Sequence, residues 1–158
     1  MVERDQIPRE KMLEIVSDLE EMGVGAVTFS GGGDPFYYKP LLETVKRLAD
    51  GPIRFASLTN GARLSGELAS IFAHHGTWLR VSLDGWDDAS YAKYRGIRVG
   101  EYTKLMENLA AFKRLGGSCY LGISLIVDRD NAEHVEDSVK RLQDIGVDSV
   151  KVSPCITS

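Results

Sequence analysis

The chain has 158 residues, 43% apolar and 27% charged, with a formal net charge of −4, enough for one soluble domain with its own core. The acid excess argues against a nucleic-acid surface, which needs clustered Lys and Arg, and no apolar run approaches the ~20 residues of a membrane span. The polar opening Met1-Val2-Glu3-Arg4-Asp5 is no signal peptide, so the expected compartment is the cytoplasm.

Apolar residues then recur at helical spacing, and each helical stretch runs into a glycine and a short strand. Met12, Ile15, Val16 and Leu19 form the first stripe, with Pro8 as the N1 residue. Gly23 follows, and then a strand near 26–30. Leu41, Leu42, Val45 and Leu48 form the second stripe, followed by Gly51 and a strand near 53–58. Leu68, Ile71 and Phe72 follow Ser65, an N-cap residue, and lead through Gly76 to a strand near 79–84. Asp87-Asp88 reads as a helix start. Tyr102, Leu105, Met106, Leu109 and Phe112 lead through Gly116 to a strand near 120–127. Val135, Val139, Leu142 and Ile145 follow Asn131 as N-cap and lead through Gly146 to a strand near 148–153. All five glycines are expected at helix C′ positions with positive φ.

Strands alternating with helices imply parallel βα units. No linker divides the chain, so residues 1–158 read as one domain. The order starts with a helix and stops after a strand, so a strand is expected upstream of Met1 and both ends read as cut. In such folds ligands gather at the C-terminal ends of the strands. Those ends carry Ser30-Gly31-Gly32-Gly33-Asp34-Pro35, Thr59-Asn60-Gly61, Ser82-Leu83-Asp84-Gly85, Asp128-Arg129-Asp130-Asn131 and Ser153-Pro154-Cys155. Alternation along 79–84 puts Leu79, Val81 and Leu83 on one face and Arg80, Ser82 and Asp84 on the other. Thr28, Ser30, Ser124, Lys151 and Ser153 extend the polar face, which is costly to bury unless paired or wetted by a polar ligand. An open barrel around a polar molecule is the expectation.

The glycine run lacks the spacing of GxxxxGK[ST] and of GxGxxG, and Asp34 beside it would repel phosphate. Carbonyls and a carboxylate there suit a cationic amine.

These segments together resemble the radical SAM superfamily. Residues 30–35 are similar to its glycine motif after the second strand, 59–61 to the end of its third strand, and 82–85 to its ribose segment. Tyr94-Arg95-Gly96 is similar to the "RG" stretch of members that modify peptides or other larger substrates. The resemblance implies an α/β fold, a partial (β/α)6 barrel with its first strand missing and five parallel strands present. It implies that Gly31, Gly32 and Gly33, with Asp34, receive the amino group of S-adenosylmethionine, and that Ser82 and Asp84 bind its ribose. Asn60 would order the methionine or ribose end. Ser124 and Val152 would lie near the adenine. Arg95 reads either as partner of the cofactor's carboxylate or as a surface salt bridge.

Family chemistry is reductive cleavage of S-adenosylmethionine at a [4Fe–4S] cluster, giving a 5′-deoxyadenosyl radical. The family's CxxxCxxC is absent: Cys119 and Cys155 are the two cysteines, too far apart for a close metal pair and expected to be reduced thiols. The cluster is therefore expected only in a longer parent, and the chain alone is expected to be inactive. Two rival readings stand beside this one: a cluster-free barrel acting as a binding or scaffold protein, and an unrelated doubly wound nucleotide-binding module. An acid–base barrel enzyme is less supported, since His74 and His75 fall at a helix end away from the strand C-termini. An exposed sheet edge would favour self-association.

Overall fold

The structure is a computed structural model that describes residues 6–155; the polar opening over residues 1–5 lies outside the described residues. Helix α1 (Arg9–Glu21) precedes β1 (Ala26–Phe29), α2 (Leu41–Ala49), β2 (Arg54–Thr59), α3 (Gly66–His75) and β3 (Trp78–Leu83). Then come α4 (Asp88–Arg95), α5 (Glu101–Arg114), β4 (Tyr120–Val127), α6 (Val135–Ile145) and β5 (Ser149–Pro154). Short 3-10 turns cover Pro35–Tyr37 and Ala132–His134.

The five strands form one sheet in the order β1-β2-β3-β4-β5, and every pairing is parallel. With helices between them they form an open, partial β/α barrel. The order never reverses, so the sheet lacks the switch point at which a doubly wound nucleotide-binding fold holds its ligand. That rival is overturned.

The helices cover one face. Phe55, Leu79, Val81, Leu83, Leu121, Ile123 and Leu125 point into it and are almost fully buried, where they meet Leu41, Val45 and Leu48 of α2 and Leu105, Leu109 and Phe112 of α5. Phe72 of α3 stacks on Phe36 at 5.1 Å and meets Phe55 edge-on at 5.2 Å, tying α3 to β2 and to the turn after the glycine run. The helical stripes read from the sequence are this core.

Four local expectations change. Gly76 has φ −69° and ψ 144°, an extended conformation open to any residue. Its reason to be glycine is space, since a Cβ there would sit 2.7 Å from the Phe72 carbonyl oxygen. Gly51 likewise has no positive φ. Pro8 is the N-cap of α1 rather than its N1 residue. Asn131 precedes a 3-10 turn without capping it by its side chain; instead it is buried, and its Nδ2 donates to the carbonyls of Asp84 (3.2 Å) and Ile126 (2.8 Å), fastening the ends of β3 and β4 together.

The other face is open. Register places Thr28, Ala56, Leu58, Trp78, Arg80, Ser82, Tyr120, Gly122, Ser124, Ile126, Lys151 and Ser153 on it. The polar positions are as the alternation predicts, but Leu58, Tyr120 and Ile126 stand among them, each more than 40% exposed. The face is mixed rather than uniformly polar.

Candidate functional site

At the C-terminal ends of β1, β2 and β3 lies an open cavity of about 380 Å³. The loop after β1 contributes Ser30, Gly31, Gly33 and Asp34, β2 contributes Leu58, Thr59 and Asn60, and the remaining wall is Arg80, Ser82, Arg95 and Ser124. All five strand-end segments are expected from the sequence to share such a site. The structure brings three together and adds Ser124 from within β4.

One corner is built around Asp34. Its carboxylate accepts the Phe36 amide (2.9 Å), capping the 3-10 turn, and the Thr59 hydroxyl at 3.0 Å to each oxygen; it also accepts the Asn60 amide. Thr59 Oγ1 in turn accepts the Gly61 amide at 3.1 Å, and Asn60 Oδ1 accepts the Ala62 amide at 2.8 Å, an Asx turn. Gly61 has φ +75°, and Asn108 Nδ2 donates to its carbonyl at 3.0 Å. The Asn-Gly pair thus makes a turn locked from α5 and from the glycine loop. In that loop the Gly33 amide donates to the Gly31 carbonyl at 2.7 Å, and Gly31 takes φ +130°. Nothing lies within 4 Å of a Cβ built at Gly31 or Gly32, so the backbone faces open space.

The opposite corner is built around Arg95. Asp87 starts α4 with a capping box, accepting the Ser90 amide at 2.7 Å while Ser90 Oγ accepts the Asp87 amide at 3.0 Å. Gly96, in the left-handed region, ends the helix. Arg95 is therefore its last residue, and its side chain turns back onto β3. Nη2 pairs with Asp84 Oδ2 at 2.7 Å and donates to Ser82 Oγ (3.0 Å) and to the Ser82 carbonyl (3.1 Å). The guanidinium lies 5.2 Å from the centre of the Tyr91 ring. Its Nε is buried and has no hydrogen-bond partner. Of the two sequence readings of Arg95, the structure shows an ion pair with Asp84, in which the Arg95 side chain lines the cavity and is 20% exposed while Asp84 stands outside the cavity lining.

Other residues lie outside this cavity. Val152 is in register with Leu125, on the face opposite the cavity, so it lies away from the other site residues. Gly32 lines a neighbouring hollow with Ile7, Met12 and Tyr38 rather than the cavity. The turn after β4 serves structure: Asp128 accepts the Tyr94 hydroxyl at 2.8 Å and the amides of Asp130 and Asn131. Burial, followed by that bond to Asp128, pushes the Tyr94 hydroxyl up to about 12. Trp86 stacks on His134 at 4.2 Å outside the cavity. His74 and His75 occupy the last turn of α3.

Thr59, Leu58 and Arg80 were not singled out as site residues from sequence. Thr59 sits inside the Thr-Asn-Gly motif, and Arg80 was legible by its parity with Ser82. Leu58 carried no signal beyond its parity.

Among the described residues no three His, Cys, Asp or Glu side chains gather to hold an ion. Cys119 is buried, which pushes its thiol up to about 12, and Cys155 is exposed at the end of β5. The residues present do not fit an iron–sulfur cluster, which needs several converging thiolates.

No curated protein matches the sequence. Among solved structures, Streptococcus suis SuiB bound to S-adenosylmethionine superposes with a TM-score of 0.78 at 18% identity, covering 100% of this chain and 36% of SuiB. The protein anSMEcpe with bound AdoMet gives 0.68 at 17% identity, covering 95% of this chain and 43% of that one. Archaeal TYW1 gives 0.64 at 18% identity, covering 91% and 51%. At these identities the likeness is one of fold, and the chain spans only a third to a half of those proteins. The model of the Radical SAM superfamily matches residues 2–142, most of the chain, and with the partial barrel and its glycine loop this places the chain in the radical SAM superfamily.

Proposed function

We propose that this chain binds and orients S-adenosylmethionine in the cavity at the ends of β1–β3, as part of a radical SAM enzyme acting on a peptide. The observation that carries the reading is the buried, unpartnered Nε of Arg95. A buried donor left unmade costs about 1–3 kcal/mol, and a ligand carboxylate beside Arg95 removes that cost. The rest of the cavity suits the same molecule. The glycine loop, whose backbone faces open space, offers carbonyls to the cationic amine, and Asp34, with its hydrogen bonds spent on Phe36, Thr59 and Asn60, adds its negative charge behind them. Ser82 and Asp84 suit the ribose hydroxyls, Asn60 the junction between methionine and ribose, and Ser124 the adenine edge. Ile126, on the same face as Ser124 and 44% exposed, offers the apolar surface that Val152 does not.

When bound in this superfamily, the cofactor supplies a 5′-deoxyadenosyl radical after reductive cleavage. That cleavage requires a cluster these residues do not fit, so the activity proposed for the chain itself is binding and orientation. The peptide substrate is supported by two relatives, SuiB bound to precursor peptide SuiA and anSMEcpe with the Kp18Cys peptide.

Calorimetric titration of the chain tests this. S-adenosylmethionine should bind saturably at one site and be displaced by S-adenosylhomocysteine, with ATP producing no comparable heat. A preference for ATP, or no saturable binding of either adenosyl compound, overturns the reading.

A further inference from the structure

We propose that the inner face of the sheet, one strand step below the cofactor cavity's serine, binds a carboxylate of the substrate between Arg80 and Lys151. This deepens the function proposed above and rests on it.

The register sets out the patch. Arg80, Gly122 and Ser149 lie side by side across β3, β4 and β5, and Ser82, Ser124 and Lys151 form the next row toward the rim. Cations stand at two opposite corners, and neither row holds an acid, in a chain whose acids outnumber its Lys and Arg 23 to 19. Strands about 4.8 Å apart and two-residue steps of about 6.6 Å put the Arg80 and Lys151 backbones about 12 Å apart, a gap that two long side chains close from both ends.

Gly122 lies between them. A Cβ at that position would meet Ser149 Oγ at 3.1 Å and Arg80 Nε at 3.7 Å. The Arg80 side chain therefore reaches across β4 toward β5, and glycine leaves the surface beneath it low. Glycine inside a strand is otherwise a cost, and it marks places where another group approaches closely.

Neither cation is neutralised. Among the described residues, the side chains of Arg80 and Lys151 make no ion pair or hydrogen bond, whereas Arg95, on the same cavity wall, is paired with Asp84 at 2.7 Å. Arg80 is only partly exposed and lines the cavity with Ser82 and Ser124. A partly desolvated guanidinium beside an ammonium and two serine hydroxyls attracts an anion and presents a fork that matches a carboxylate. The cofactor's own carboxylate is served by Arg95 nearer the rim, so the second anion belongs to the second molecule.

The test is an amide-resolved NMR titration of the chain with Ac-Gly-Glu-Gly-NH2, with its glutamine twin Ac-Gly-Gln-Gly-NH2, and with inorganic phosphate, each with and without saturating S-adenosylmethionine. The glutamyl peptide should shift the amides of Gly122, Ser124 and Ser149 saturably, and the glutaminyl peptide should not. Losing a charge-assisted contact should weaken the glutamyl peptide about tenfold in Arg80→Gln and by less in Lys151→Gln, and in Lys151→Gln, which lies outside the cavity lining, S-adenosylmethionine affinity should stay within about twofold. Arg98→Gln, outside the patch, should change neither. Equal response to the two peptides, a response to phosphate alone, or loss of cofactor affinity in Lys151→Gln each overturns the proposal. If Arg80→Gln fails to fold, the exposed Lys151→Gln carries the same comparison. Discrimination between the peptides without any cofactor binding would sink the cofactor reading and leave the patch standing.

Discussion

The two corners of the cavity differ in how their polar groups are spent. Around Asp34 every group is used inside the protein: the carboxylate takes donors from Phe36, Thr59 and Asn60, Thr59 then takes Gly61, and Asn60 takes Ala62. Around Arg95 one fork is used on Ser82 and Asp84, and Nε is left buried and unmade. The first arrangement lowers the energy of the empty protein and holds three loops in place. The second leaves the empty protein a cost that a carboxylate guest would offset. A single cavity can thus divide the work, with one wall acting as frame and the other as receptor.

Removing the frame should give the largest effect. Asp34→Ala takes the acceptor from Thr59 and Asn60 and the cap from Phe36, and should destabilise the chain by about 2–3 kcal/mol, read as a lower urea midpoint. S-adenosylmethionine binding should fall with it, because the glycine loop and the Asn60 turn lose their common anchor. A midpoint that does not move would mean that the Asp34 corner is not a frame at all.

Removing the receptor should separate binding from stability. Arg95→Met deletes the orphaned donor and keeps apolar contact with Tyr91, while Asp84 still reaches water at 25% exposure. Stability should change by less than about 1 kcal/mol, and cofactor affinity should drop about tenfold or more. Arg95→Lys should not restore it, since an ammonium cannot reproduce the guanidinium fork. If Arg95→Met instead unfolds the chain with cofactor affinity intact per folded molecule, the assignment of the two corners is reversed.

The frame was legible in the sequence as a set of motifs, but not as a network. Asp34, Asn60 and Gly61 stood out because glycine, asparagine and aspartate at strand ends are turn residues, and period-two alternation put Ser82 and Asp84 on one side of β3. The strand boundaries fall within a residue of the observed ones for the same reason, since each strand is a short run bounded by such turns. Alternation alone put Lys151 and Ser153 on the polar face and Val152 on the other; it was the resemblance that made Val152 a site residue, and the register with Leu125 keeps it on the far face. Alternation does not say who pairs with whom. Arg95 is 13 residues from Ser82, and only the length of α4, fixed by its capping box and by Gly96, brings the two together. Asn131 looked like a cap because asparagine often is one; here two carbonyls at the ends of neighbouring strands claim its side chain.

The smallest expected effect sharpens the comparison by showing that α4 is also held from outside the cavity. Tyr94, next to Arg95, donates to both oxygens of Asp128 at 2.8 Å. That bond, the first cause, holds the Asp128 carboxyl below its ordinary value of 3.8, and burial with the same bond raises the Tyr94 hydroxyl from 10.0 to about 12. The signs give a window. A carboxyl lowered by folding contributes stability above its unfolded pKa, and that stability is lost as pH falls through the folded value. A phenol raised by folding contributes stability below its unfolded pKa, and that stability is lost as pH rises through the folded value. The contact should therefore stabilise α4 fully between about pH 5 and pH 9 and fade on both sides. Tyr94→Phe should lower the thermal midpoint by a constant small amount across that plateau, with the difference from the parent chain shrinking toward pH 3 and above about pH 10. Cofactor affinity at neutral pH should hold, because α4 keeps its capping box and Arg95 keeps Ser82 and Asp84. A difference that persists unchanged into acid would show that packing of the Tyr94 ring against Trp86, and not the hydroxyl–carboxylate bond, fixes the helix from outside.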